Sequence, residues 1–484
     1  MFYGVAGGSY QPISIKEVQK IHNASMYVFE KVGFEVENER ALNLFAENGA
    51  EVDFTNKRVK ASEDWIMMQL KKSPARVILY GREDQHNLVV EPNRTFLGTG
   101  GTAVGIIDYD SGLRRHTVLR DVGVIARLIE KLKNIHWFVL PVYPNDLENV
   151  NVDVNRFFAG LNNTTKHIMG GVFGPNGAKE VIKMAQILAG GEEQLRARPN
   201  ISITCSIMSP LKMEKNYVDH MFEVVKAGVP LVTSCAPIAG ATSPITLAGT
   251  LVQLNVEALS GILLAQLIKP GAPVLYSVVP TTADMRTMGF LFGAVENGIM
   301  NSVCAQLATF YNLPMYATGG TTEAKIPDAQ TGYEKAITTL MPALAGAQLI
   351  HESAGLIDSG MTVSLEQYVI DDEINGMVLR AVRGIEIDEK TLAAEVIEAV
   401  GPGGNYLSHP HTVNYLRTEA FIPELANRMN FDMWKEAGCK DIGQKAREKV
   451  CQILAKAEPI LYDERILKQL MEEIPGIRTK NLST

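Results

Sequence analysis

The stretch that decides the predicted fold is residues 313–361, LPMYATGGTTEAKIPDAQTGYEKAITTLMPALAGAQLIHESAGLIDSGM. A short apolar run ends at Gly319 and Gly320, and a polar loop and a helix of small residues over 328–347 follow it. A second short run then ends in His351-Glu352-Ser353. Two parallel strands need a crossover of this kind between them, usually a helix. The stretch therefore predicts a strand, helix, strand unit of a parallel sheet.

The same alternation recurs through residues 95–383. Eight short β-like runs are each followed by a helical run, and they lie at 95–101, 136–142, 167–172, 201–208, 230–236, 273–279, 314–319 and 349–353. Eight such repeats over a stretch of this length are typical of a closed (β/α)8 TIM barrel. A doubly wound open sheet is the alternative within the α/β class, but it does not need eight comparable units.

The regions on either side of residues 95–383 have a different predicted structure. Residues 1–94 predict a mostly helical N-terminal layer, residues 95–383 the barrel, and residues 384–484 a C-terminal helical layer packed on it, with helices over 388–400 and 411–428 among others. After the first strand, GIIDYDSGLRRHTV predicts a hairpin that turns at Asp110-Ser111-Gly112. The weakly charged stretch 243–268 resembles a membrane span in length, but its Gln, Asn and Ser residues indicate a buried or subunit-facing helix.

Composition excludes several classes of function. The 484 residues include 54 acidic and 46 basic ones, a net charge of -8, with no run of five Lys or Arg. Nucleic acid and anionic membrane are therefore poor partners. The start of the chain lacks a basic segment followed by an apolar one, so we expect no signal peptide and a cytoplasmic location. Five scattered Cys residues without a CxxC pair predict free thiols.

Ligands and chemistry collect at the carboxyl ends of parallel strands. There, His351 and Glu352 are the predicted catalytic pair, since a histidine can hold a substrate carboxylate or act as an acid or base. A His bonded only to a neighbouring loop is the structural alternative. The remaining candidates are predicted to bind substrate, and they lie at or after the ends of other strands: Tyr143, Phe173, Thr281, Arg286, Thr318 and Glu323.

Two of these candidates are aromatic. Tyr143 and Phe173 end strands two and three, and converging aromatic faces bind quaternary ammonium groups by cation-π attraction. Single aromatic residues at such positions more often only pack. Gly98, Gly100 and Gly101 in the second half of strand one indicate backbone clearance for a ligand, or else a tight barrel corner.

We predict no metal site. Cys205 and Cys235 on strands four and five are the candidate zinc ligands. Ser202, Thr204 and Ser206 share one face of strand four, so that if this polar face lines the barrel, Cys205 points outward into the helix layer. A buried structural cysteine is then the simpler interpretation.

Four long segments carry a family resemblance: PVLYSVVPTTADMRTMGF, LPMYATGGTTEAKIPDAQTGYEKA, LIDSGMTVSLEQYVIDDEINGMV and GPGGNYLSHPHTVNYLRTE. They resemble the trimethylamine methyltransferase superfamily of corrinoid-dependent methyltransferases. Archaeal members that demethylate trimethylamine carry pyrrolysine in the barrel, and this sequence has none. The chain is thus similar to the non-pyrrolysine members, which demethylate betaines such as glycine betaine, proline betaine, carnitine or γ-butyrobetaine.

The resemblance also implies the methyl acceptor. It is the Co(I) of a corrinoid (cobalamin), and because the chain has no DxHxxG corrinoid motif, we expect a separate corrinoid protein to supply it and no tightly bound cofactor. We further expect a homo-oligomer. Two alternatives stay open: a zinc-dependent methyl transfer from another donor, and a non-enzymatic betaine-binding barrel.

Overall fold

A computed structural model describes residues 4–287, 289–460 and 462–478. Its fold is mixed α/β, as the alternation predicts. The eight central strands, β1 to β8 in chain order, are Arg94–Thr99, Phe138–Val139, Ile168–Gly171, Ile201–Ile207, Leu231–Cys235, Val274–Val278, Met315–Thr318 and Leu349–Ala354. Each is followed by a major helix, α1 to α8: Leu119–Glu130, Val152–Leu161, Gly177–Ala189, Lys215–Ala227, Leu247–Ile268, Val295–Tyr311, Ala329–Leu344 and Leu365–Arg383.

The strands follow each other in the sheet in the order β1-β8-β7-β6-β5-β4-β3-β2, and the ladders between these neighbours are parallel. A short strand, Val5–Ala6, pairs antiparallel with the start of β1. Between β1 and β2 there are only isolated parallel bridges, Gly98 to Trp137 and Ala103 to Val142, instead of a continuous ladder. The eight parallel repeats are confirmed, while complete closure of the barrel stays a prediction.

Alternate residues along the strands separate two apolar clusters, because successive side chains of a strand point to opposite faces. The inner cluster contains the strand residues Phe96, Val139, Met169, Val232, Leu275, Tyr316 and Leu349, together with Trp137 just before β2. Side chains of the hairpin formed by Val77–Leu79 and Leu88–Val90 join this cluster. The N-terminal region therefore contributes part of the inner core. The outer cluster lies between the strands and the helices.

Helix α5 is the one described helix that is long and apolar enough to span a membrane. Of its most apolar 18-residue stretch, 83% is buried inside the protein. The predicted interpretation as a buried helix is confirmed.

The N-terminal region is more mixed than the predicted helical layer. Its helices are Ile15–Lys31, Glu39–Glu47 and Glu63–Leu70, with a short 3-10 helix at Asp84–His86. Ser14 caps the first of these helices, and Glu17 completes the capping box. Three strands, Phe34–Val36, Glu51–Asp53 and Arg58–Lys60, form a sheet with Lys212–Met213, which follows β4. This pairing ties the N-terminal region to the central sheet.

The C-terminal region contains the helices Glu389–Leu392, Ala394–Val400, Pro410–Glu419, Phe431–Glu436, Ile442–Leu454 and Glu464–Glu473. Two expectations about it are wrong in detail. The predicted helix over 388–400 breaks at Ala393, which adopts a left-handed φ of 51°. The predicted helix over 411–428 ends at Glu419. The boundaries drawn at residues 94 and 383 remain predictions.

Short strands extend beyond the central sheet at its carboxyl end. Gly105–Ile107 and Arg114–His116 form the predicted hairpin, and Leu356–Ile357 and Thr362–Val363 join it from beyond β8. A third small sheet contains Ile238–Ala239, Thr281–Asp284 and Gly289–Leu291. The remaining short helices are Asn149–Asn151 and Glu192–Ala197.

Candidate active site

An aromatic column lies between β2, β7 and β8. The ring of His351 stacks on that of Tyr316, with centroids 4.2 Å apart and planes 23° apart. Trp137 meets the same Tyr316 edge-on at 5.6 Å. Both Trp137 and Tyr316 belong to the inner cluster, and His351 is paired in register with Thr318. The column therefore runs from the inner core toward the carboxyl ends of the strands, where His351 and Glu352 lie.

One hydrogen bond orients His351. Its Nδ1 lies 2.7 Å from the carbonyl oxygen of Ala317. A carbonyl only accepts, so Nδ1 carries the proton and donates. The other ring nitrogen, Nε2, lies 3.4 Å from Oε1 of Glu352. His351 is thus held between the β7 backbone and a carboxylate.

Glu352 occupies an irregular position in β8. Its φ is +65°, in the left-handed region that residues other than glycine rarely adopt, and the register between β8 and β1 shifts between Ile350 and Ala354. Bulges of this kind re-aim side chains and are frequent next to active sites. The irregularity turns Glu352 toward β1, where a Cβ atom at Gly100 would lie 2.2 Å from its Cγ.

The carboxylate of Glu352 is incompletely satisfied. The residue is only 5% exposed, and its buried Oε2 has no hydrogen-bond partner among the described residues. Leaving a buried charged oxygen unpaired is costly. A cationic ligand is the natural complement to such an oxygen, particularly beside aromatic rings.

Thr318 and Thr281 are both buried at the carboxyl end of the sheet. Thr318 donates its hydroxyl to the carbonyl of Val278 at 3.0 Å, and its amide donates to Asn301. Thr281 is fully buried and donates its amide to the carbonyl of Pro237. Their hydrogen bonds connect neighbouring strand ends, so the structure gives both residues a role in holding the site together.

Glu323 and Arg286 have partners other than His351 and Glu352, the predicted catalytic pair. The Glu323 carboxylate accepts hydrogen bonds from the amides of Phe292 and Gly293, and burial raises its pKa above the ordinary value. Arg286 projects from the strand end, with its side chain 88% exposed, and forms an ion pair with Asp284 at 3.0 Å. In the described part of the chain, neither makes a recorded hydrogen bond to His351 or Glu352.

Tyr143 and Phe173 do come together, with ring centroids 5.9 Å apart. A third residue joins them that sequence reasoning missed. Arg156 of α2 lies with its guanidinium carbon 5.3 Å from the Phe173 ring centroid. Its Nε donates to the carbonyl of Val142 at 3.0 Å, and its Nη2 donates to the Thr102 hydroxyl at 3.0 Å. A cation, the guanidinium of Arg156, therefore lies beside the aromatic pair of Tyr143 and Phe173.

Arg156 is fully buried, and its Nη1 has no hydrogen-bond partner among the described residues. Burial lowers its pKa to about 10, which still leaves the guanidinium charged at neutral pH. The nearby Asp153 uses its Oδ2 to accept from the amides of Phe173 and Gly174 at 2.8 Å each. A sequence signal existed: Arg156 is the only charged residue between Val154 and Leu161.

The two strand cysteines, Cys205 and Cys235, are both buried. Cys205 belongs to the outer cluster, as the period of two predicts, and burial raises its pKa. The Cys235 thiol is buried against the carbonyl of Ser277, and burial also raises its pKa. Within the described residues, no group of three or more His, Cys, Asp or Glu has the geometry to hold a metal ion.

Comparison with known proteins places the chain in a family. Residues 6–480 match the trimethylamine methyltransferase (MTTB) family. The trimethylamine methyltransferase MttB of Desulfitobacterium hafniense (strain DSM 10664 / DCB-2) is 37% identical over 97% of this chain and 94% of its own length. The glycine betaine methyltransferase of Desulfitobacterium hafniense (strain Y51) is 33% identical over 94% of this chain and 95% of its own.

A solved structure supports the fold alone. The monomethylamine methyltransferase MtmB of Methanosarcina barkeri superposes with a TM-score of 0.50 at 13% identity, covering 93% of this chain and 95% of that one. Together with the match over nearly the whole sequence, these relatives confirm the resemblance drawn from the four segments. The chain belongs to the trimethylamine methyltransferase (MTTB) family and is a methyltransferase without pyrrolysine.

Proposed function

We propose that this methyltransferase removes a methyl group from a betaine, a small molecule that carries a quaternary ammonium and a carboxylate, and passes it to the Co(I) of a corrinoid on a partner protein. The observation that carries the proposal is the buried Oε2 of Glu352, unpaired among the described residues and next to the His351–Tyr316 stack. An anion beside aromatic faces suits a methylated ammonium. The glycine betaine methyltransferase relative supports the betaine class.

The charges argue for one orientation of the substrate. A substrate carboxylate at His351 would lie next to the Glu352 carboxylate, and an ammonium at Phe173 would lie next to the Arg156 guanidinium. Like charges at such distances repel each other strongly in a dry site. We therefore assign the ammonium to His351, Glu352 and Tyr316 and the carboxylate to Arg156, the reverse of the arrangement expected from the sequence.

The backbone at the exit of β1 connects the two proposed subsites. Gly100 lies against Glu352, and the hydroxyl of Thr102 accepts a hydrogen bond from Arg156. A zwitterion that lies along residues 100–102 would meet an anion at one end and a cation at the other. Such a pair of opposite charges would favour a zwitterion over trimethylamine, which has no carboxylate.

The protein would contribute to this reaction mainly by positioning the substrate. The corrinoid supplies the Co(I) nucleophile. As the methyl carbon bonds to its acceptor, the carbon–nitrogen bond breaks and its electron pair stays on nitrogen, so a quaternary ammonium leaves as a neutral tertiary amine. Glu352 and the aromatic column would hold the ammonium and exclude water, with one methyl group directed toward the mouth. A pyrrolysine is not needed to activate such a leaving group.

Three finer points belong to the same proposal. We infer that the central sheet closes into a (β/α)8 barrel, since the strand order is the one that closure requires. The corrinoid protein would dock transiently at the mouth, near the hairpin of Gly105–Ile107 and Arg114–His116. No cofactor would be tightly bound to this chain. Arg286 and Glu323 would contact the substrate only at the outer edge of the site.

The test is an anaerobic assay with the purified chain, its cognate corrinoid protein in the Co(I) state, and separate betaines: glycine betaine, proline betaine, carnitine and γ-butyrobetaine. Trimethylamine and tetramethylammonium are the comparison donors, and loss of Co(I) absorbance reports methyl transfer. At least one betaine should react faster than both comparison donors. Faster reaction of trimethylamine than of every betaine, or no reaction with any donor, would overturn the proposal.

A further inference from the structure

Residues 384–420, which we call the arm, form helices that have no hydrophobic core of their own. They include Glu389–Leu392, Ala394–Val400 and Pro410–Glu419, yet no residue among them is buried. Ile385 and Leu407 are each 81% exposed. The other strongly exposed apolar side chains of the arm are Ile387, Leu392, Ile397, Tyr406, Val413 and Leu416. Apolar surface of this extent marks a protein contact surface.

The base of the arm is attached to α8. Arg380 donates from Nη1 to the carbonyl of Gly384 at 2.8 Å and from Nε to the carbonyl of Glu419 at 2.9 Å. Arg383 also donates to the carbonyl of Thr418. One helix thus holds both ends of the arm. A segment shorter than about 40 residues rarely buries enough apolar surface to be stable alone, so the helices of the arm need an external cover.

The same chain presents an apolar groove between α7 and α8. The groove has a volume of about 490 Å³, and its walls include Ala336, Leu340, Ile374, Met377, Val378 and Ala381. No residue of the arm lines it, although the arm starts three residues after Ala381. The groove is therefore an apolar surface that the arm of its own chain leaves uncovered.

A basic cleft adjoins this groove. Leu425 lines the cleft and the next residue, Ala426, lines the groove. The charged residues of the cleft are Lys131, Lys445, Lys449 and Lys456 against Glu424 and Glu448, a balance of four minus two. The arm has the opposite sign: Lys390 and Arg417 against Glu386, Asp388, Glu389, Glu395, Glu398 and Glu419, two minus six or -4. The groove itself is lined by Asp328 and Glu373 and by no basic residue, so the arm matches the groove in apolar character and the cleft in charge.

We propose that a second copy of this chain covers the arm, with the arm of each copy lying on the groove and basic cleft of the other. Exchange of identical elements between two copies is a common route to symmetric dimers. Apolar surfaces of permanent complexes stay covered, whereas the corrinoid carrier of the proposed reaction has to leave after each transfer. The carrier is therefore the wrong kind of partner for this surface.

The experiment measures association of the full chain by sedimentation velocity across a range of concentrations. The arm variant is Ile385→Ser with Leu407→Ser, and the groove variant is Met377→Glu. Ile15→Ser is the matched control, since Ile15 is also 81% exposed but lies in the N-terminal region. The wild type and the control should associate equally. Each of the other variants should weaken association at least about tenfold, which corresponds to the loss of about 1.4 kcal/mol.

Mixing the two variants sharpens the test. The arm variant keeps an intact groove and the groove variant keeps an intact arm, so a mixture can form one of the two contacts and should associate more strongly than either variant alone. All three substituted positions are exposed, and thermal unfolding curves check that the variants fold. A monomeric wild type, association that the arm variant leaves unchanged, or an arm that binds only the corrinoid protein would each overturn the proposal.

Discussion

Nζ of Lys335 lies 3.2 Å from Oδ2 of Asp371, and both side chains are almost completely buried. Lys335, on α7, also donates to the carbonyls of Gly320 and Leu356, one in the loop after β7 and one just beyond β8. Asp371, on α8, accepts from the amide of Gly355 at 2.7 Å. The ion pair therefore fixes the two strand ends between which His351 and Glu352 lie.

Removing the cation of this pair should destabilise the protein strongly. Lys335→Met leaves the Asp371 carboxylate buried without its counter-charge, which typically costs about 3–5 kcal/mol. Lys325→Met is the control, because Lys325 forms its ion pair with Asp358 at the surface, with 68% of its side chain exposed, and surface pairs contribute about 0–1 kcal/mol. Urea unfolding measures both. Equal losses would contradict the importance of the buried pair.

Replacing the Glu352 carboxylate should affect substrate binding more than turnover. Glu352→Gln keeps the shape but removes the charge that faces the ammonium, and that positive charge declines as the methyl group leaves. We expect KM for a betaine to rise at least about tenfold, since contacts to charged groups contribute about 1.5–3 kcal/mol, with a smaller change in kcat. The inhibition constant of tetramethylammonium should rise in parallel. Unchanged inhibition would rule out Glu352 as the ammonium site.

Arg156 should determine how tightly the enzyme binds the carboxylate of a betaine. Arg156→Lys keeps a positive charge but loses the planar guanidinium that pairs with carboxylates in two-point fashion. KM for a betaine should rise about tenfold or more, while inhibition by tetramethylammonium, which has no carboxylate, should stay as in the wild type. This split separates substrate recognition from misfolding. If both values change together, Arg156 only supports the structure.

A methyl group at Gly100 should displace Glu352. The Cβ of Gly100→Ala would lie 2.2 Å from the Cγ and 2.6 Å from the Cα of Glu352, closer than atoms can approach. We expect most betaine activity to be lost. Gly332→Ala, in α7, is the matched control because nothing lies within 4 Å of its added Cβ, and alanine is favoured over glycine in a helix by up to about 1 kcal/mol. Full activity of Gly100→Ala would contradict the position assigned to Glu352.

The contribution of His167 to the free energy of unfolding should fall as the pH drops from about 6.5 to about 4. Burial lowers the pKa of His167 from 6.5 to about 4, and the neutral ring donates from Nδ1 to the carbonyl of Tyr80 and accepts from Ser202. In that window the unfolded chain binds a proton that the folded chain does not, so acid favours unfolding, by up to about 3 kcal/mol.

His167→Gln should flatten part of this pH dependence. The buried His136, whose pKa burial lowers to about 3, contributes with the same sign, and the buried Glu257, whose pKa burial raises to about 7, contributes with the opposite sign; both stay unchanged in the variant. Urea unfolding at several pH values measures the slope for wild type and variant. Identical slopes would show that His167 does not stay neutral in the folded protein.

Much of the architecture is predictable from the sequence because each part of it is local. Every strand and its following helix lie within a few tens of residues, so the alternation over 95–383 predicts the eight parallel repeats. A period of two places Cys205 on the outer side of β4, and the turn at 110–112 predicts the hairpin. Even the location of His351 and Glu352 at the end of β8 follows from the position of the run that precedes them.

Only the tertiary structure decides which groups meet and with what charge. The irregular turn of Glu352, its contact with Gly100, and the approach of Arg156 to Phe173 depend on how distant strands pack, and no short-range pattern encodes them. For the same reason the substrate orientation that we propose is the reverse of the one expected from the sequence. The exposure of residues 384–420, a span of 37 residues, is also decided only by the tertiary structure. Their sequence predicts helices, but the folded chain is needed to show that none of these residues is buried.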